Sequence, residues 1–186
     1  MSSQTNLIAP HGGYQKLKSF QMAEIVYDAT VRFCDLYISK KSRTVDQMVQ
    51  AARSGKQNIA EGSMASGTSR KFELKLVSVA RASLEELLLD YKDFLRQRKL
   101  VTWDKSDPMA IKIRSLAYTV NKSYNTYMNY IEESPPEVAA NTMVCLINQT
   151  NYLLDQQLRQ LERQFLEDGG FTERLYSARQ EARKGR

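Results

Sequence analysis

Three clusters in this 186-residue chain have residue types and spacings with chemical meaning. Gly67-Thr-Ser-Arg-Lys71 sets two cations at the start of a predicted helix, where free amides and the positive end of the helix dipole favour acidic residues instead. An anion held by those amides together with Arg70 and Lys71 would offset the conflict, and a nucleic-acid phosphate fits best. The plainer reading is that both side chains extend into water, each at a cost of about 0.3–1 kcal/mol. Lys40, Lys41 and Arg43 form a second cluster, at the opposite end of a helical bundle, able to meet a separate stretch of backbone or only to solubilise a loop. Asn58, Glu61 and Gly62 interrupt an apolar stripe. They read as a polar lock, with buried Asn and Glu bonded to a neighbouring helix and Gly62 allowing close approach, because buried polar groups are normally satisfied within a fold.

Other chemistry is excluded by what is missing. Di-iron bundles need Glu-x-x-His motifs on two helices, and no glutamate here stands three residues before a histidine. One histidine, His11, and two distant cysteines, Cys34 and Cys145, cannot supply the three or four ligands of a zinc site. A His-based triad would have to recruit His11 from a Gly-rich leader. Ser54-Gly55-Lys56 superficially resembles a phosphate loop, but it lacks the earlier glycine and the preceding strand. Glu85 and Glu86, adjacent on a helix, point about 100° apart and cannot share a substrate. They read as one solvated side chain and one partner for a basic residue. Tyr118, Tyr124, Tyr127 and Tyr130 read as core or subunit-interface aromatics before base-stacking ones. The expectation is a non-enzyme with no cofactor and no metal.

The elements that position these residues follow from periodicity. Apolar residues recur at three and four from 17 to 38, the one-face pattern of an amphipathic helix. Thr44 is a plausible cap for a second helix that ends near Met64, with Gly67 offering a left-handed terminus. Thr68 or Ser69 opens a third helix, apolar on two sides and closed by the basic run 96–99. Asp107-Pro108 caps a fourth, whose stripe Ile113, Ala117, Val120, Tyr124, Tyr127 and Ile131 predicts one continuous helix to about residue 131. Ser134 and Glu137 have capping-box spacing around Pro135, which predicts a fifth helix to about Glu167, stopped by Gly169-Gly170. The fold expected is all-α: a leader over 1–16, an antiparallel up-down four-helix bundle over 17–132, a helical suffix over 133–170, and a short basic helix or frayed tail over 171–186. No apolar run reaches a bilayer-spanning length and the start lacks a signal-peptide layout, so a cytoplasmic location with no membrane partner is expected.

The formal charge of +6, from 27 basic and 21 acidic residues, is not spread evenly. Residues 40–81 carry nine basic and three acidic groups, a net +6, whereas 133–173 carry two and seven, a net −5. Arg53, Lys56 and Lys75 therefore join Lys40, Lys41, Arg43, Arg70 and Lys71 as candidate backbone-binding cations.

Asn58-Ile-Ala-Glu-Gly62, the small-polar loop after it, Lys71-Phe72 and Ala80-Arg-Ala-Ser-Leu-Glu-Glu-Leu87 together resemble the signature of a bacterial four-helix-bundle family. That family includes proteins encoded in intervening sequences of large-subunit rRNA and the accessory variability determinant of diversity-generating retroelements. The resemblance covers roughly residues 14–131. The stretch from Cys145-Leu-Ile-Asn-Gln-Thr-Asn-Tyr-Leu-Leu-Asp155 to Gly169-Gly170 is similar to a suffix domain on some of its members. The resemblance implies a non-enzymatic bundle, often a barrel-shaped homopentamer with a basic surface, that in the retroelement branch binds nucleic acid and a reverse transcriptase. It makes Asn58, Glu61 and Gly62 structural and leaves binding to the bundle's Lys and Arg collectively. Lys56 departs from the pattern, standing where many members have Pro, and the acidic suffix helix is a second departure. A competing reading is a protein-interaction scaffold whose suffix helix docks a partner or a neighbouring subunit.

Overall fold

Apolar stripes at helical spacing underlie most of the helices, and no strand is present among residues 11–168 and 171–184, the part of the chain that the computed structural model describes. The helices are α1 (Lys18–Tyr37), α2 (Arg43–Ala65), α3 (Arg70–Gln97), α4 (Pro108–Leu116), α5 (Met128–Glu132), α6 (Pro136–Asp168) and α7 (Phe171–Lys184). None is long and apolar enough to cross a membrane. Residues 1–10, the Gly169-Gly170 stop and the last two residues lie outside the described part.

Capping chemistry sets the ends, sometimes one turn from where sequence spacing puts them. Ser42, not Thr44, caps α2, its Oγ accepting from the Thr44 amide at 3.2 Å. The Ser69 side chain accepts from the Phe72 amide and opens α3. Asp107 caps α4 through the amides of Met109 and Ala110, with Pro108 in the first turn, as its sequence predicts. The capping box at Ser134 does not form: its hydroxyl donates to the Asn129 carbonyl, and the Glu137 carboxylate accepts from the Val101 amide. Gly67 is not left-handed. Lys99 is, at φ 56°, with the Leu100 amide closing back on the Leu95 carbonyl in a Schellman-type end.

The fourth predicted helix is a correction. It stops at Leu116, and the chain then turns through Asn121 at φ 55° and a single 3-10 turn, Tyr124–Thr126, before α5. Thr119 Oγ donates to the Leu116 carbonyl at 2.7 Å, and Ser123 and Thr126 exchange side-chain and backbone bonds. Short polar side chains that bond their own backbone compete with helix, and Asn tolerates the left-handed region. The apolar spacing continues across a segment whose local chemistry ends the helix.

Helix α6 supplies the core face that the shortened α4 cannot. It packs along α3 and α1, and its Ala139, Met143, Leu146, Ile147 and Leu154 belong to the same buried cluster as Phe33, Leu84, Leu87 and Tyr91. Glu132-Glu-Ser-Pro-Pro-Glu137 is therefore a boundary between helices inside one core. Each fully buried leucine there contributes roughly 1.5–3 kcal/mol. Phe33 of α1 meets Tyr91 and Phe94 of α3 edge-on, each with ring centres 4.9 Å apart. The Tyr91 hydroxyl is bonded to Thr30. The described part of the leader is held as well: the Gly12 amide donates to the Ser63 carbonyl, and Tyr14 meets Phe20 edge-on.

Candidate functional site

The α2–α3 hairpin, with the turn that leads into it, carries all eight candidate cations. Its two helices are held by a close approach and a small polar network. A Cβ on Gly55 would lie 2.6 Å from Leu84 Cδ2, so any larger residue there would force the buried Leu84 side chain to shift. Gly62 has ordinary room, 3.4 Å from the Glu73 carbonyl oxygen and from Leu76 Cβ. The close approach expected at Gly62 thus sits two turns earlier. Asn58 is half-buried; its amide donates to the Ser54 carbonyl and hydroxyl, and Ser54 Oγ meets Ser83 Oγ of α3 at 3.0 Å. Glu61 is exposed. The lock is therefore Asn58–Ser54–Ser83, without Glu61, which helix phase turns to solvent.

Six of the eight cations, Lys40, Lys41, Arg43, Arg53, Lys71 and Lys75, are exposed. Lys40, Lys41 and Arg43 lie in the α1–α2 turn and the first residue of α2, Lys71 and Lys75 at the start of α3 at the other end of the hairpin, and Arg53 between them. Lys56 is turned toward α1, its Nζ 4.4 Å from the centre of the Tyr27 ring. Arg70 reaches α6, where Nη1 donates to the Gln164 carbonyl at 2.9 Å, near the negative end of that helix. The phosphate cradle expected at the start of α3 is in this way used by the chain itself: Ser69 takes the Phe72 amide and Arg70 faces α6.

Glu73, in the first turn of α3, is the buried carboxylate of this region. Burial pushes its pKa up to about 7, against the opposing pull of Arg70. Further along, Arg81 bonds Glu85 at 2.7 Å and Asp155 of α6 at 3.1 Å, and Glu85 also accepts from Asn151. Glu86 stays exposed. Burial pushes the Cys34 thiol up to about 12 and that of Cys145 to about 11, which keeps both protonated and poorly nucleophilic.

Comparison of the chain with protein-family models, with curated proteins and with solved structures finds no match in any of the three.

A second feature is not visible in the apolar spacing of the sequence. Where α4 ends early, an open cleft of about 940 Å³ lies between the start of α1, α4 with its following loop, and the middle of α6. Lys18, Lys105, Arg114 and Lys122 line it, against one carboxylate, Asp104. Trp103, Tyr118 and Tyr152 provide aromatic surface, and Tyr118 is 87% exposed instead of joining a core. Tyr124, Tyr127 and Tyr130 are half-buried or buried, as core aromatics should be. The usable signal was Thr119-Val-Asn-Lys-Ser123, whose composition ends α4 and uncovers this side of α6.

Proposed function

We propose that the protein is a non-catalytic helical module that binds the phosphate backbone of RNA or DNA through the outer face of α2 and the start of α3, without base readout. The observation that carries this reading is the set Lys40, Lys41, Arg43, Arg53, Lys71 and Lys75, all exposed and none ion-paired among the described residues. Backbone affinity is collective and grows with the number of phosphates neutralised. Arg70 and Lys56 then act from the margin, because each already has a partner in the fold.

The reading includes the arrangement that displays this face: α1, α2, α3 and α6 as an antiparallel up-down four-helix bundle, with α4 and α5 an excursion before its last helix. Register supports it. Along α3 and α6 the pairs Arg70–Gln164, Arg81–Asp155 and Glu85–Asn151 rise on one helix as they fall on the other. Ser19 at the start of α1 meets Gln157, while Tyr37 at its end reaches the Ser134 carbonyl just before α6. The resemblance in the α2–α3 sequence favours nucleic acid over other polyanions. It brings with it a cytoplasmic homo-oligomer, pentameric by that resemblance, and a reverse transcriptase as a candidate partner.

The scaffold alternative, with residues 133–168 docking elsewhere, is disfavoured because α6 is packed on α1 and α3 and Asp155 is paired with Arg81. Self-association through α3, where Phe72, Val79 and Leu89 are exposed, is compatible with either reading. Light scattering tests it, and the mass of a single chain would remove it. For the main reading, labelled structured RNA and duplex DNA are titrated with the full chain across a salt series. Log affinity should fall linearly with log salt, at a slope of about one per phosphate contacted. Absence of salt-dependent binding to either would remove the proposal.

A further inference from the structure

We propose that the cleft between α1, α4 and α6 is a binding site for a nucleoside phosphate, either a free nucleotide or the phosphorylated end of a strand. The site is separate from the α2–α3 face and does not depend on that face binding anything.

Three properties of the cleft select this chemistry. The first is charge. Lys18, Lys105, Arg114 and Lys122 line it, and the single carboxylate, Asp104, already accepts from both the amide and the hydroxyl of Ser106 at 2.9 and 2.8 Å. Arg114 is held by one bond, Nη2 to the Lys105 carbonyl at 2.6 Å, and its other N–H groups make no hydrogen bond among the described residues. A planar guanidinium fixed on one side and open on the other matches a phosphate, which it can bind through two parallel donors.

The second is aromatic surface. Trp103 is half-buried, while Tyr118 and Tyr152 are 87% and 63% exposed on the loop and on α6. Large aromatics left open beside cations suit a flat, polarisable ring with an anionic tail, because every base has a π-face that stacks on such surfaces. The third is an unmet acceptor. The Gln149 side chain is anchored through Nε2 to the Arg114 carbonyl at 2.9 Å, while its buried Oε1 has no partner. A buried acceptor without a donor is costly, and a small turn of this cleft-lining side chain toward the opening would let an N–H on a base satisfy it. At about 940 Å³ the cleft lies within the size range of small-molecule sites, roughly 300–1,000 Å³.

The test uses the full chain and its one tryptophan, Trp103, as reporter. Its emission and the heat of binding are followed on titration with ATP, adenosine, tripolyphosphate and a short 5′-phosphorylated oligonucleotide. ATP or the oligonucleotide should give a saturable change, with adenosine and tripolyphosphate each weaker by about tenfold or more, as expected when each lacks one half of the contacts. Saturation by ATP identifies a free nucleotide, and saturation by the oligonucleotide alone identifies a strand end; either supports the site. Lys122→Glu and Arg114→Ala should each weaken binding by about tenfold, the loss of one charge-assisted contact. Tyr152→Ala, at an exposed position, guards against a folding defect and should weaken ATP relative to tripolyphosphate. Lys71→Glu, on the other face, should leave cleft binding unchanged even where it weakens nucleic-acid binding through the α2–α3 face. Absence of saturation by any probe, tripolyphosphate equal to ATP, or binding that survives both Lys122→Glu and Arg114→Ala would overturn the proposal.

Discussion

Cations on one helix meet opposite fates in α3. Arg70 and Arg81, eleven residues or three turns apart, fall on one stripe and turn to α6, where Arg70 meets the Gln164 carbonyl and Arg81 meets Asp155. Lys71 and Lys75, one turn apart on another stripe, are exposed with no ion pair among the described residues. All four contribute equally to the +6 of residues 40–81, yet helix phase decides which of them a ligand can reach. Asp155 of the acidic segment pairs with Arg81 on one stripe and the other stripe stays exposed, so the polarity of the sequence is partly internal wiring and partly available surface.

The sharpest way to break this contrast is charge reversal on the two stripes. Arg53, Lys71 and Lys75 changed together to Glu should weaken nucleic-acid binding by orders of magnitude at low salt and flatten the salt slope by about three, one for each lost phosphate contact. Arg81→Gln should leave that slope within about one unit of wild type and act on stability instead. Equal loss of binding from both would mean that the stripes are not functionally distinct. Filter binding across a salt series, with circular dichroism to verify folding, measures both.

Burial at the start of α3 offers the next largest effect. Glu73 titrates near pH 7 in the fold, whereas an exposed glutamate titrates near 4.5. Between those values the folded chain keeps a proton that the unfolded chain has released, so this group makes stability fall as pH rises from about 4.5 to 7. The loss levels off above pH 7 at up to about 3 kcal/mol, from roughly 1.4 kcal/mol per unit. Glu73→Gln should remove that slope, matching wild type at pH 4 and exceeding it at pH 8. Urea unfolding of both proteins from pH 4 to 8 gives the difference, and parallel curves would exclude the assignment. The group stands two residues from both Lys71 and Lys75, buried where they are exposed, which separates folding from binding on a single helix.

Much of the scaffold was legible. The extents of α1, α2 and α3, the Asp107-Pro108 start and the long helix after the double proline all follow from apolar spacing and cap residues, because these are local rules. What was illegible depends on neighbours. The Ile113-to-Ile131 stripe looks like one helix until Thr119, Asn121 and Ser123 are weighed for their own backbone bonds. The cleft exists only because that helix stops, so none of Trp103, Arg114, Lys122 or Gln149 could be grouped from spacing. Among the candidate cations, type and position were legible, but the turning of Arg70 to α6 and of Lys56 to Tyr27 needs the third dimension.

The two glycines of α2 test the same limit at smaller scale. Gly62 carries the sequence signal, yet Gly55 has the closer contact, with the fully buried Leu84 side chain. Gly55→Ala gains up to about 1 kcal/mol of helix propensity but overpacks the interface by about 1–3 kcal/mol, a net destabilisation. Gly62→Ala keeps the propensity gain against ordinary contacts and should be neutral or stabilising by about 0.5–1 kcal/mol. Thermal unfolding of the pair would reverse this assignment if Gly62→Ala proved the more damaging.

The smallest effect bears most directly on what α6 does for α3. Arg81 and Asp155 are partly solvated, with side chains 29% and 45% exposed, so their pair is worth no more than about 1 kcal/mol and should weaken with salt. Asp155→Asn keeps the shape, removes one acidic charge and leaves Arg81 bonded to Glu85. Stability at low salt should drop by less than about 1 kcal/mol, and the gap from wild type should close at high salt as the Coulomb part is screened. Nucleic-acid affinity should rise by a small factor at most, since the freed charge stays on the α6-facing stripe. If affinity instead rose tenfold or more, the acidic helix would be masking the basic surface electrostatically, and the stripe that packing assigns to structure would belong to binding as well.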